Sequence, residues 1–251
     1  MQEKSALGRA MAMVRDLRSR CPWDRAQDRE TLRPYLLEEV HELDHAIGTG
    51  EPEIIRREVS DLLLHLAWQL VLAEESGEFT ADDLAKDLEA KMKRRHPHLY
   101  DLGPKEPWEK LKQREGARGV LEGLPPTLPD LLMAHRLQER AAAVGFDWPD
   151  PAGPIAKVAE ELSELESELA RPEPDRPALE HEIGDLLFSV VNVARKTGVS
   201  AGPALARANG RFRARFGKVE RLALRRGVDL HSATLEELDR LWAEVKEDRR
   251  A

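Results

Sequence analysis

A chain of 251 residues predicts one or two domains; 41% apolar residues suffice for a core, while 34% charged and only 5% aromatic residues favour amphipathic helices over sheets. With 47 acids against 39 bases the net charge is -8, which argues against a nucleic acid polymer as partner, because phosphate contacts need a basic surface. The lone cysteine, Cys21, excludes an internal disulfide and a cysteine-rich zinc site.

The first residues, Met1-Gln2-Glu3-Lys4, hold no apolar signal core. Leu36, Val40, Leu43 and Ile47 then recur at i, i+4, i+7 and i+11, one stripe of a helix. Gly48-Thr49-Gly50-Glu51-Pro52 interrupts, and Val59, Leu63, Leu66 and Leu70 form the next stripe. The most apolar run, Leu62 to Ala73, is broken by His65 and Gln69 and is too short to cross a bilayer. Pro97 and Gly103-Pro104 close this half. Gly116, Gly119, Gly123, Pro125, Pro126 and Pro129 read as a linker. Val158, Leu162, Leu165 and Leu169 make a third stripe. After Pro172, Pro174 and Pro177, Ile183, Leu187, Val190 and Ala194 make a fourth. No alternating strand pattern occurs. The expectation is an all-α, cytoplasmic protein with no membrane partner, its stripes turned to cores. It divides into a domain over 1–118, a linker over 119–129 and a domain over 130–251.

A repeat spans the linker. Leu37-Glu38-Glu39-Val40-His41-Glu42-Leu43 matches Ala159-Glu160-Glu161-Leu162-Ser163-Glu164-Leu165 at an offset of 122. Glu58-Val59-Ser60-Asp61-Leu62-Leu63 matches Glu182-Ile183-Gly184-Asp185-Leu186-Leu187 at 124. Only the connection between the two helices differs, by two residues. Trp108 followed by Lys112 echoes Trp242 followed by Lys246. Two motifs in one order at near-constant offset indicate a duplicated domain.

At roughly 100° per residue, Glu161 and Glu164 lie along one flank of their apolar stripe, and Glu182 and Asp185 flank the next. Glu39, Glu42, Glu58 and Asp61 repeat the arrangement. In an antiparallel hairpin the two flanks meet and four carboxylates converge. A single such pair reads as a solvated helix shoulder. Two sets, each with a like-charged partner helix, point to a cation, without which some acids must take up protons. An all-carboxylate set suits Mg²⁺ or Mn²⁺ rather than zinc.

Glu-Glu-x-x-Glu followed by Glu-x-x-Asp on consecutive helices resembles the MazG-type, all-α nucleoside triphosphate pyrophosphohydrolases. Cys21-Pro22-Trp23-Asp24 before the first motif and Arg94-Arg95-His96-Pro97-His98 after it resemble the tandem-domain members. The likeness covers nearly the whole chain. It implies two helical bundles that dimerise, with Mg²⁺ (Mn²⁺ as substitute) held by Glu161, Glu164, Glu182 and Asp185. In the first repeat it implies Glu39, Glu42, Glu58 and Asp61. It further implies hydrolysis of ribo- or deoxyribonucleoside triphosphates to monophosphate and pyrophosphate, a nucleotide-pool cleansing reaction. Glu38 and Glu160 lie off the ligand flank.

A triphosphate also needs bases for the oxygens a metal leaves free. Lys157 lies four residues before Glu161 on the same flank; the first repeat has Tyr35 there. Asn209, Arg211 and Arg215 fall in a stretch that resembles the family's substrate-binding segment, where lysine is expected at position 211. In the first repeat Lys91, Lys93, Arg94 and Arg95 correspond, but Pro97 should end that helix. Trp242 stacks on a nucleobase by family likeness, with core packing as the alternative. Asn192 faces the site or bonds a neighbouring helix. The second repeat is therefore expected to be the main catalyst, through metal-assisted phosphoanhydride hydrolysis.

Three rivals remain. A di-iron bundle needs Glu-x-x-His on two helices; Glu38 with His41 and Glu42 with His45 supply it on one helix, but Ser163 and Ser167 replace the histidines in the second repeat. An acidic helical adaptor explains the charge but not the paired flanks. A dUTPase-like or phosphoribosyl-ATP pyrophosphohydrolase shares the motif without the duplication.

Overall fold

The computed structural model of the protein describes residues 5–106 and 119–247, and among these every regular element is a helix. Trp108, Lys112 and Gly116 lie outside the described residues. The chain separates into two compact units, Met1–Glu106 and Pro107–Ala251.

The first unit contains α1 (Ala6–Arg20), α2 (Pro22–Ala26), α3 (Arg29–Thr49), α4 (Pro52–Ser76) and α5 (Ala81–Arg95), then a 3₁₀ turn at Pro97–Leu99. Short polar side chains set the starts. Asp28 and Thr31 form a reciprocal capping box on α3, as Thr80 and Asp83 do on α5. Gly50 ends α3 at φ 73°, a left-handed conformation that favours glycine, and Pro52 starts α4 two residues later. So short a link forces α3 and α4 into an antiparallel hairpin. Met11 and Val14 of α1, Leu32 of α3 and Ala67, Trp68, Leu70 and Val71 of α4 make the core. Each large aliphatic side chain buried there contributes about 1.5–3 kcal/mol. Arg18 lies 5.3 Å over the Trp68 ring and donates to the carbonyls of Asp24 and Gln27, both at 3.0 Å. That side chain fixes the Cys21–Asp24 segment ahead of α3.

The second unit contains α6 (Asp130–Ala143), α7 (Ala152–Leu169), α8 (Arg176–Lys196), α9 (Ala201–Arg226) and α10 (Leu235–Glu247). α7 and α8 form the matching hairpin. Its link carries no glycine cap: buried Glu168 accepts from the Asp175 backbone N–H at 3.0 Å and pairs with Arg171 at 2.9 Å. α6 is tied to α8 by Gln138, whose Nε2 donates to the Phe188 carbonyl at 2.8 Å. Buried Arg140 donates to the Glu122 carbonyl and holds the segment after Gly119 to α6. Val219, Leu222 and Ala223 of α9 pack on Leu241 and Val245 of α10.

The apolar stripes predict core faces, yet Ile47, Leu66, Leu169 and Leu187 are 61%, 52%, 56% and 54% exposed, and Val40, Val59, Leu162, Ile183 and Val190 are exposed too. Of the four stripes only Leu70 is fully seated, at 3%. The reason is rotational: each hairpin turns its acidic flank inward, burying Glu58 and Glu161, and this carries the neighbouring stripe outward. No helix among the described residues is long and apolar enough to cross a membrane.

The turn before α7 is held by charge. Asp147 accepts from Arg195 at 3.2 Å and pairs with Lys196 at 3.1 Å, and the Arg195 hydrogen bond keeps its carboxyl below the ordinary range. Trp148, next in sequence, lies on Gly153, where a Cβ would stand 2.1 Å from the indole Cδ1. Gly153→Ala is expected to cost about 1–3 kcal/mol through overpacking. Thermal unfolding should record a fall in Tm of several degrees, and an unchanged Tm would refute the contact.

Candidate metal centre

In the second unit α7 carries Lys157, Glu161 and Glu164 at i, i+4 and i+7, and α8 carries Glu182 and Asp185 at i and i+3. One carboxylate oxygen from each of Glu161, Glu164 and Glu182 lies within 4.8 Å of the other two. Glu161 is 2% exposed, and its Oε2 is buried with no hydrogen-bond partner. Its Oε1 pairs with the Lys157 ammonium at 2.5 Å, which also reaches Glu160 Oε1 at 2.8 Å. Glu160 and Glu161 together hold the Lys157 pKa far above its ordinary value, so the group stays charged. Burial first, then the negative charges of Glu161 and Glu182, push the Glu164 carboxyl up.

Asp185 stands apart from that trio. It is half-buried, and its Oδ2 lies 3.5 Å from His181 Nε2. Asn209 and Arg211 are exposed on α9; Arg215 lies 4.9 Å over the Trp242 ring. Trp242 also meets Phe212 at 5.4 Å and packs against the α9–α10 core. Among the described residues, none of Asn209, Arg211 and Arg215 makes a hydrogen bond or ion pair with the three carboxylates. Asn192 is buried and accepts from Arg195 Nε at 3.0 Å. It thereby joins the Arg195–Asp147 brace that fixes the start of α7.

The first unit repeats the carboxylate geometry with different neighbours. Glu39, Glu42 and Glu58 each place an oxygen within 4.8 Å of the others. Glu39 Oε2 is buried without a partner, and Glu58, 5% exposed, accepts from Arg57 Nε at 3.0 Å. Burial and then the charge of Asp61 raise the Glu39 carboxyl; burial and then Glu58 raise Glu42. Tyr35 stands where the other unit has Lys157, and meets Trp23 edge-on at 6.4 Å. His65, one turn past Asp61, is buried with Nδ1 unpartnered, and burial lowers its pKa. In the sequence His65 carries only one signal, a polar residue interrupting an apolar run.

Three carboxylates gathered within 4.8 Å, with burial and neighbouring negative charge raising Glu39, Glu42 and Glu164, and with a buried oxygen lacking any donor, form a site that a hard divalent cation fits. Such an ion supplies the positive charge the cluster lacks and accepts oxygen ligands of this kind.

Residues 27–100 match the family described as MazG nucleotide pyrophosphohydrolase domain. Over 247 residues the chain is 37% identical to a nucleoside triphosphate pyrophosphohydrolase of Escherichia coli (strain K12), covering 94% of each. It is 39% identical over 232 residues to a nucleoside triphosphate pyrophosphohydrolase/pyrophosphatase of Thermotoga maritima, covering 90% of this chain and 89% of that one. An uncharacterized Bacillus subtilis protein, YabN, is 38% identical over 95% of this chain and 51% of its own length.

The raised carboxyls have a sign that can be tested. A folded-state pKa above the unfolded value gives stability at low pH that is lost as pH rises through the folded pKa. In a chelator, Glu39→Gln and Glu164→Gln are therefore expected to raise Tm at neutral pH, with the gain vanishing on acidification below the ordinary carboxylate value. Parallel Tm curves for variant and parent across that range would contradict the burial and repulsion described above.

Proposed function

The chain belongs to the MazG family of nucleotide pyrophosphohydrolases and is a hydrolase acting on nucleoside triphosphates, and we propose that it converts NTPs and dNTPs with water into the monophosphate and pyrophosphate, with Mg²⁺ as cofactor and the second unit as main catalyst. The observation that carries this reading is the buried, partnerless Oε2 of Glu161 beside Glu164 and Glu182, with the Lys157 ammonium on the same flank. Mn²⁺ is the natural substitute for so hard a donor set.

Glu161, Glu164 and Glu182 would hold the ion, and Asp185, one turn along α8 beside His181, would join them only by turning from that histidine. When bound, Mg²⁺ offsets the negative charge of the triphosphate and of the carboxylates together. Lys157 bridges Glu160 and Glu161 and so stands at the edge of that charge. There it stabilises negative charge building on the phosphate oxygens as the phosphoanhydride bond breaks. Arg211 and Arg215 extend the cationic surface along α9, and Arg215 over Trp242 forms a flat wall suited to a nucleobase. The first unit offers Tyr35 in place of the lysine, which supports a weaker or supporting role for it.

The outward stripes support a homodimer. Ile183, Leu187 and Val190 on α8 and Leu162 and Leu169 on α7 form an exposed apolar face of the kind helix bundles bury against another hairpin. A second copy of the chain supplies that partner. Nucleoside triphosphates as substrates support a cytoplasmic setting for nucleotide-pool cleansing.

Product analysis over a panel of NTPs and dNTPs with Mg²⁺ tests the reaction: monophosphate and pyrophosphate are expected, and orthophosphate would overturn it. Glu164→Gln should cut pyrophosphate release by more than about 100-fold, since even removing a group that only supports a metal ligand costs 10–100-fold. Glu42→Gln should cost far less, and equal losses would end the assignment to the second unit. Leu187→Asp is expected to convert the assembly to monomer in sedimentation experiments.

A further inference from the structure

The first unit has one feature its counterpart lacks. On α3, His41-Glu42-Leu43-Asp44-His45 places two imidazoles one turn apart. Glu38 lies one turn before His41. At 100° per residue, Glu38, His41 and His45 fall within an arc of about 60° on one helix face. All three line a single cavity of about 660 Å³ between α3 and the start of α4, together with Glu42, Arg57 and Glu58. His41, His45 and Glu38 are exposed at its wall; their donor atoms do not all lie within 4.8 Å of one another, and their exposure leaves the rotamers free to turn toward an ion.

We propose that Glu38, His41 and His45 form a second metal site, distinct from the carboxylate cluster, that takes a borderline divalent ion of the Zn²⁺ or Co²⁺ class. Two imidazole nitrogens and one carboxylate oxygen are the donor set such ions favour, and the His-x-x-x-His spacing on a helix presents both imidazoles to one ion. Mg²⁺ gains little from imidazole and prefers oxygen ligands and water. The two sites share no ligand: Glu42 belongs to the trio with Glu39 and Glu58, whereas Glu38 does not. A dinuclear iron reading does not follow, since α4 offers Glu58 and Asp61 where a second Glu-x-x-His would stand. In the second unit Ser163 and Ser167 occupy the two histidine positions beside Glu160, and hydroxyls are poor ligands for these ions. The first unit is thereby given a metal chemistry of its own, independent of whether it hydrolyses nucleotides.

The test uses the full chain and Co²⁺ as probe, followed by calorimetry and by the visible absorption that imidazole ligation gives, in a large excess of Mg²⁺ to fill the carboxylate clusters. Wild type is expected to bind one equivalent of Co²⁺ that the excess Mg²⁺ does not displace. The double variant His41→Ser with His45→Ser copies the second unit at exposed positions and should bind it at least about 100-fold more weakly, by loss of both imidazoles. Adding Ser163→His and Ser167→His to that double variant should restore a Co²⁺ site beside Glu160. Unchanged Co²⁺ affinity in the double variant, or displacement of Co²⁺ from wild type by Mg²⁺, would overturn the proposal. Failure of pyrophosphate release would defeat the function proposed above without touching this readout.

Discussion

Like-charged carboxylates facing one another across a helical hairpin are the constraint from which the rest of this structure follows. Glu161 is almost fully enclosed, and Glu58 nearly so. Each has a single basic neighbour, Lys157 for Glu161 and Arg57 for Glu58, and Glu161 Oε2 has no donor at all. Turning those flanks inward dictates where the apolar stripes go. On a helix a residue cannot move without its neighbours, so Leu162 is carried outward as Glu161 is carried inward. Each hairpin therefore has two unmet needs at once, positive charge between its helices and an apolar cover outside them.

The two units meet the inner need with different surroundings. In the second, Lys157 bridges Glu160 and Glu161, so one cation already stands at the cluster's edge. In the first, the aromatic pair of Tyr35 and Trp23 takes that place, and Arg57 braces Glu58 from the same helix. Histidines at 41, 45 and 65 in the first unit correspond to serines at 163, 167 and 189 in the second. The carboxylate frame is shared while its immediate neighbours differ.

Much of this was legible before any coordinates. Helix period and the two acid motifs located α3, α4, α7 and α8, because period and capping are local properties. The convergence of Glu39, Glu42 and Glu58 is readable from their place on the flank. Burial of the stripes is not legible from spacing, since a stripe such as Ile183, Leu187 and Val190 looks the same whether it faces a core or solvent. Nor could spacing show that Arg215 would lie over Trp242, although the i, i+4 placement of His181 and Asp185 on α8 does make them neighbours. The Arg195–Asp147 brace joins residues 48 apart in sequence, and the Gln138–Phe188 bond residues 50 apart. Side-chain partners that distant leave no periodic signal.

The two hairpin links differ in kind: Gly50 turns one, while Glu168 latches the other through Asp175 and Arg171. Yet Glu58 and Glu182 reach the same place opposite their partner helices. One residue inserted within α8 ahead of Glu182 would swing that side chain by about 100° and scatter the trio. The same residue added between Ala170 and Asp175 would merely lengthen a bend. Angular phase is thus frozen along the helices, and the bends are where the two hairpins can differ in length without losing their grip on charge.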